Sequence, residues 1–596
     1  MHILAIFPRE PEDWHILDQI PPDCLSSVLV AAEASVPAGL ISSGKVRKAA
    51  SAEFQNALRE ALSKSRPDIV LWFGRLCSTQ AWKSLRQLVR FAPEALLIVG
   101  AGQTRSQGGF LEDVVLRIAL WFRVVDFVVF CSGNARTLSK VNPQRCTVLY
   151  GSGGETVTAL LEKRLLAHHK SVLWVDPNIT AQSPSMRSLV HSIHALRAEG
   201  WSVCGLCYEH SQDNSVVEVT RLPRLPLPRL LDLLQFVLCC NLYRFIQSRL
   251  FRRRPATIVH TTCGYDLHAD LVSVHFCQQR WLDFSSTLGV RSLRDRVALQ
   301  LSRIYSVVER LQLRSRHARL ALPVSRAIGE AVRHAYGTTV PQVVLPNAFD
   351  ESRFGIETRN RYRDVMRSEL GFGDNVTVFA FTSYGHYRRK GFWLIVDALR
   401  ILQDRDDLRL LVIGGSQQTL NGLKRDLLQS FPGYLQAIVF VGMTDRVERY
   451  LAASDAFLFP SYFEAFCLAE IEAAAMGLPL LVTRHPGTEM IVRPGKNGLL
   501  LEADPADIAD KMKRFAAKEF AFEVPDTGEA LTREQFAQRI ASIYERYLFS
   551  EVRVEGERES KEFRGADFHR SSKNGDRFGH FVPPNSIVSG KPARGS

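Results

Sequence analysis

The sequence predicts an α/β protein made of several parallel sheets, each covered by helices. Short apolar, strand-like runs alternate with stretches whose apolar residues recur at helical spacing. This alternation starts at the N-terminus and restarts at Ser171 and again near Val376. At roughly 150 residues per domain, a chain of 596 residues holds three or four domains.

The first cycle covers residues 1–165. HILAIFP, DIVLWFG, ALLIVGA, DFVVFCS and CTVLYGS read as strands, and SAEFQNALREALSKS as a helix between them. Each strand ends in small or polar residues, where parallel sheets open their clefts. The second cycle covers 166–345. SVLWVDPN is a strand, SMRSLVHSIHALRAEG a helix closed by Gly200, and WSVCGLCY the next strand. ATIVHTT and DLVSVHF continue it, and Pro346-Asn347 reads as the turn into the next domain.

The third cycle, 346–550, has strands TVFAFTS, LRLLVIGG, AIVFVG, DAFLFPS and LPLLVTR. Residues 532–548 read as the helix that closes it. Thr532 and Gln535 make a capping box, and Phe536, Ile540, Ile543 and Tyr547 make one apolar face. Residues 551–596 are charged and rich in Gly, Ser and Pro, which predicts a disordered tail.

The run LLDLLQFVLCCNLYRFIQSRLFRRR, 230–254, is a helix with an apolar face followed by Arg244, Arg249, Arg252, Arg253 and Arg254. Two readings stay open: a helix lying on an anionic membrane, or a core helix with a solvated basic end. The net charge of +13 points to phosphates, anionic lipid or nucleic acid, or to a solvated basic surface. No helix-turn-helix, zinc or RNA-binding motif supports nucleic acid.

The eleven cysteines lie mostly in apolar runs, as buried thiols of a reducing compartment do. Cys204 and Cys207 form the one C-x-x-C and read as strand thiols. No second pair has zinc spacing, and no His/Asp/Glu group has ligand spacing, so no metal is expected. The N-terminus has no secretory pattern, and no run of 18 apolar residues is free of charges. A cytoplasmic chain is expected, free or peripheral at the inner face of the plasma membrane.

The chemistry is expected in SYFEAFCLAEIEAAAMGLPLLV, 461–482. A strand, DAFLFPS, leads into a loop holding Glu464. A helix should run from near Phe466 to Met476, stopped by Gly477 and Pro479. The free backbone N–H groups of Phe466, Cys467 and Leu468 would form an anion site. Glu472 lies two turns in, roughly 9 to 12 Å along at about 1.5 Å per residue. A nucleotide sugar fits that spacing, with a diol at each end for a carboxylate and phosphate between. Solvated helix glutamates would show the same spacing.

The segment FPSYFEAFCLAEIEAAAMGLPLLVTRHPGTEMIVRPGKNGLLLE resembles the donor-binding segment of the GT-B glycosyltransferases of family 4, the glycosyl transferases group 1. PVSRAIGEAVRHAYGTTVPQVVLPNAFDESRF resembles their domain junction, and SYGHYRRKGFWLIVDAL their R-K-G segment. The resemblance spans 171–548 and is dense over about 322–512. The R-R-K-G form looks most like lipopolysaccharide core glucosyltransferases.

The resemblance implies two Rossmann-like domains with the donor between them, preceded here by an additional N-terminal Rossmann-like domain. It implies that Glu464 contacts the donor sugar, Glu472 binds the ribose, and Phe466, Cys467 and Leu468 offer N–H groups. Arg389 and Lys390 would neutralise the diphosphate, and Gly442 and Met443 would lie near the base. Cys467 stands where the family has Gly, and Tyr384-Gly385 where it has Gly-Arg, leaving Arg388 or Arg389 to supply the charge. His275 follows a strand. It is either a cleft residue facing the sugar or a satisfied strand-end histidine. His260 is a weaker candidate.

The implied activity is retaining transfer of a hexose from a nucleotide diphosphate sugar to a polysaccharide or lipid-linked glycan, without metal or other cofactor. The alternative is a non-catalytic glycan- or membrane-binding scaffold on the same frame. Residues 1–165 lack E-x7-E, R-K-G and G-x-G-x-x-G, so they read as an acceptor- or partner-steering domain or a degenerate remnant.

Overall fold

The computed structural model describes residues 170–210, 218–227, 229–249, 256–287 and 293–548. Before these it describes segments 3–7, 25–31, 46–49, 54–65, 69–73, 96–101, 127–130 and 146–148. The expected tail, 551–596, lies outside the described residues, as do Arg252, Arg253 and Arg254.

The N-terminal strands are β1 (Ile3–Phe7), β2 (Leu25–Ala31), β3 (Val46–Ala49), β4 (Ile69–Phe73), β5 (Leu96–Ala101), β6 (Phe127–Phe130) and β7 (Cys146–Val148). They form one parallel sheet in the order β3-β2-β1-β4-β5-β6-β7. The sequence predicts five of these strands. The two it misses, β2 and β3, form one edge; VRKA is short and basic, whereas LSSVLVA carries five apolar residues of seven and is legible as a strand.

The second unit holds β8 (Ser171–Val175), β9 (Asn178–Ile179), β10 (Ser202–Cys207), β11 (Glu209–His210), β12 (Glu218–Arg221), β13 (Ile258–Thr262), β14 (Leu271–Val274) and β15 (Leu320–Pro323). Its main sheet runs β12-β10-β8-β13-β14-β15, and β9 pairs with β11. Cys204 and Cys207 sit buried and unbridged in β10. Burial pushes the Cys207 thiol up to about 12.

The third unit follows β16 (Ala348–Phe349). It holds β17 (Thr377–Thr382), β18 (Leu408–Ile413), β19 (Ile438–Gly442), β20 (Ala456–Phe459), β21 (Leu480–Thr483) and β22 (Gly498–Leu501), in the order β19-β18-β17-β20-β21-β22. The chain leaves β17 to one side and returns to the other at β20, so β17 and β20 flank the switch point where such sheets bind ligands. All four residues of β20, AFLF, are buried, as a strand covered on both faces requires.

The helix Arg533–Leu548 corrects the expected domain boundary. It does not close the third unit. After β23 (Leu531–Thr532), which pairs with β16, it crosses back and packs on the second unit. Phe536, Ile540 and Tyr544 share a core with Trp174, Trp201 and Leu196. Tyr544 Oη accepts from Trp174 Nε1 at 3.0 Å and pairs with His260 Nδ1 at 2.7 Å, while Ser273 Oγ holds His260 Nε2 at 2.8 Å. His260 is therefore a satisfied core histidine, and burial holds it near 3 and neutral. Tyr544→Phe strands two buried polar groups, so it should cost about 1 to 3 kcal/mol in urea unfolding. A loss below about 0.5 kcal/mol would contradict this account of the crossover.

The helix Arg229–Arg249 resolves one open point in part. Phe236, Cys240 and Tyr243 pack into the second unit's core. Arg244, expected at a solvated basic end, is buried instead in an ion pair with Asp266 at 3.0 Å.

Candidate active site

Two loops leave the switch point of the third sheet side by side. Residues 383–391 follow β17, and residues 460–467 follow β20. Tyr462 N–H donates to Arg389 O at 2.9 Å, and Arg389 Nη1 donates to Phe463 O at 2.5 Å. Gly391 is the contact point. Its φ is +77°, and a Cβ there would lie 2.0 Å from Pro460 O, so no other residue lets the loops meet this closely.

This places Arg389 beside Glu464, with Nη1 to Oε1 at 3.3 Å. Apart from this ion pair, that oxygen is buried and accepts no hydrogen bond among the described residues, so a largely buried carboxylate keeps unused acceptor capacity. Arg388 is exposed, so Arg389 is the arginine that faces the site. Lys390 reaches in from the same loop, with its ammonium 5.0 Å from the centre of the Phe459 ring.

The helix after Glu464 is Leu468–Ala475, two residues shorter at its start than expected. Cys467 is its N-cap and gives no side-chain cap hydrogen bond. The first N–H groups of the helix itself are those of Leu468 and Ala469, and Phe466 and Cys467 precede it. Cys467 has φ −84°, a conformation open to any residue, so its replacement of glycine carries no backbone strain. Its side chain lies in the hydrophobic core with Phe466. Gly477, at φ +72°, ends the helix as expected.

Glu472 sits one turn from the helix end with its side chain 16% exposed. Arg187 Nη1 comes from the second unit to within 3.4 Å of Glu472 Oε1. Burial raises the Glu472 carboxyl to about 7, against the pull of Arg187. Arg187 is a site residue that sequence reasoning misses. SMRSLVHS reads as an ordinary helix start, and nothing local marks an arginine that reaches a carboxylate 285 residues away.

Glu470 and His485 are the second omission. The helix turns Glu470 into the interior, where His485 Nε2 meets Glu470 Oε1 at 2.6 Å, both side chains 0% exposed. Burial alone would lower the His485 pKa. Contact with the Glu470 carboxylate overrides it and lifts the imidazole to about 9. His485 lies in the turn after β21. The pair therefore pins that turn to the site helix.

Across the gap, the second unit supplies an aromatic wall. Phe276 and Trp281 pack on Phe463 at 5.4 and 5.6 Å between ring centres, and Phe284 on Phe463 at 5.7 Å. Ser325 Oγ donates to Ala465 O at 3.2 Å. The loop holding Glu464 is thus sandwiched between the two units.

The other expected site residues make none of the described contacts with Glu464, Arg389 or Glu472. Gly442 ends β19 at φ +85°, and its carbonyl accepts from Gly414 N–H at 2.8 Å. Met443 beside it is half exposed. His275 lines a small enclosed cavity with Ser185, Ser188, Ser273 and Asn347, where burial pushes it down to about 4.

Residues 376–518 match the family described as glycosyl transferases group 1. That stretch lies within the third unit and is similar to that family.

Relatives by sequence include a D-inositol 3-phosphate glycosyltransferase of Corynebacterium jeikeium, 30% identical over 225 residues, which are 35% of this chain and 52% of that protein. A mannosylfructose-phosphate synthase of Agrobacterium fabrum is 32% identical over 179 residues, 28% of this chain and 37% of that one. An Escherichia coli UDP-Gal:alpha-D-GlcNAc-diphosphoundecaprenol alpha-1,3-galactosyltransferase is 26% identical over 179 residues, 30% of this chain and 45% of that one. The chain spans about half the length of the curated relatives it matches. The solved structure of WaaG, a glycosyltransferase involved in lipopolysaccharide biosynthesis, aligns with TM-score 0.47 at 16% identity, over 66% of this chain and 100% of that one.

Proposed function

We propose that the chain is a retaining glycosyltransferase that moves a hexose from a nucleoside diphosphate sugar to a polysaccharide or lipid-linked glycan. The observation that carries this is Glu464. A largely buried carboxylate with unused acceptor capacity stands beside Arg389 and ahead of a helix N-terminus. Its relatives include sugar transferases, one of them named for a UDP-sugar donor and a diphosphoundecaprenol-linked acceptor.

In this reading the sugar hydroxyls donate to Glu464. The diphosphate lies over the N–H groups of Leu468 and Ala469, where the helix dipole favours negative charge. Arg389 and Lys390 neutralise the charge that builds on the departing diphosphate, so transfer needs no metal. The ribose hydroxyls take the place of Arg187 on Glu472. The acceptor enters from the second unit, past Phe276 and Trp281. Retention rests on the family resemblance alone.

Calorimetric titration of the full chain with UDP, GDP and ADP in chelator tests this. One nucleotide should bind in the micromolar range, and Glu472→Ala should weaken it by about tenfold to a hundredfold, the loss of one or two hydrogen bonds to a charged group. Equal binding by that variant removes Glu472 from the site. No binding of any nucleotide removes the donor reading altogether.

A further inference from the structure

The second unit carries two long helices, Arg229–Arg249 and Leu293–Leu313, that lie against one loop. Their polar side chains turn inward to hold it. Asn241 Nδ2 donates to Tyr265 O at 2.8 Å, Arg244 pairs with Asp266, and Gln312 Nε2 donates to Asp266 O at 2.6 Å. Each helix thus turns one face to the core and this loop, and a second set of apolar residues lies on the opposite face.

On Arg229–Arg249 the outward stripe is Leu231, Leu238 and Leu242, spaced seven and four apart, with Leu238 and Leu242 63% and 61% exposed. On Leu293–Leu313 it is Val297, Ile304, Val307 and Leu311, spaced seven, three and four apart, with Val307 and Leu311 56% and 57% exposed. These spacings put each set on one helix face. Two apolar stripes on helices that hold one loop are more than scattered surface residues.

Exposed arginines border the second stripe. Arg296, Arg303, Arg310 and Arg314 are all exposed, and none forms an ion pair with a described residue. At about 100° per residue they flank the stripe of Leu293–Leu313 on one side. The described carboxylate of that helix, Glu309, is turned inward, accepting from Tyr336 Oη at 2.6 Å and Gln278 N–H at 3.0 Å. An apolar stripe bordered by exposed arginines complements an acidic surface that has a hydrocarbon interior.

We propose that these two helices form a docking surface for an anionic lipid bilayer. Val307, Leu311, Leu238 and Leu242 enter the boundary between headgroups and acyl chains. The four arginines lie at the headgroup phosphates. The proposal does not depend on the transferase reading.

The test is co-sedimentation of the full chain, without nucleotide, with vesicles of phosphatidylcholine alone or with about 30% phosphatidylglycerol. Binding to the anionic vesicles should be at least about tenfold tighter and should fall with salt. Leu238→Asp/Leu242→Asp and Val307→Asp/Leu311→Asp should each weaken it by about tenfold or more, because each puts two charges where apolar contact was. Arg303→Gln/Arg310→Gln/Arg314→Gln should weaken it and flatten its salt dependence. All seven side chains are exposed, so melting temperatures and nucleotide binding should stay near those of the parent. Failure to sediment overturns the proposal. So does sedimentation that all three variants retain, which would place the contact elsewhere. A concentration-dependent dimer in light scattering that Leu238→Asp/Leu242→Asp dissolves would also overturn it, by making the face a protein interface.

Discussion

Glu470→Leu should destabilise the protein by about 3 to 5 kcal/mol, because it leaves the His485 imidazole buried without its carboxylate. The double variant Glu470→Leu/His485→Leu should recover most of that loss, since well-packed apolar residues replace a buried ion pair at little cost. The pair also fixes a pH dependence. His485 titrates at 6.5 as an ordinary imidazole and near 9 in the folded chain, so the folded state holds the extra proton between those values. Its stabilisation is complete below pH 6.5 and is lost as pH rises through about 9. Urea unfolding at pH 6 and pH 9.5 should show a steeper loss for the parent than for the double variant. Equal losses, or a double variant no better than Glu470→Leu, would show that the pair is not coupled.

Glu464→Gln should lower kcat by about a hundredfold to a thousandfold, with the protein folded and nucleotide affinity changed little. The amide keeps the shape of the side chain but removes the negative charge that faces the reacting sugar. Arg389 remains tied to Phe463 O in this variant, so the loop keeps its place. The measurement is initial rate against donor concentration, once the nucleotide is known from calorimetry. A kcat within about threefold of the parent would remove Glu464 from the chemistry and leave the buried carboxylate a structural role. A rise in KM alone would instead make it a binding residue.

Much of the site was legible because it lies in short stretches. Glu464, the helix start and Gly477 fall within 14 residues, and a strand ending in Pro-Ser before a glycine-stopped helix has few other readings. Arg389 and Lys390 were legible through the R-K-G segment. The pairing of that loop with the Glu464 loop depends on β17 and β20 lying side by side, which strand order decides and local pattern does not. Arg187 and His485 had no local signal, because each acquires its role from a carboxylate far away in sequence or on another element. The helix Arg533–Leu548 shows the same limit. Its apolar face and cap were read correctly, but an apolar face does not say which core it will cover.

The sequence by itself determined the class of the fold, the places where strands end in loops at the switch point, and the residue types proposed to meet phosphate and sugar. These follow from local periodicity, helix stop signals and side-chain chemistry, all of which act within a turn or two of chain. Only the tertiary structure decided which arginine faces Glu464, that Glu472 is met from the second unit, and that Glu470 is buried with His485. It also showed that Arg244 is spent on a buried ion pair while leucines and valines face outward. Burial and long-range pairing set those outcomes, and they depend on how sheets and helices are placed against one another.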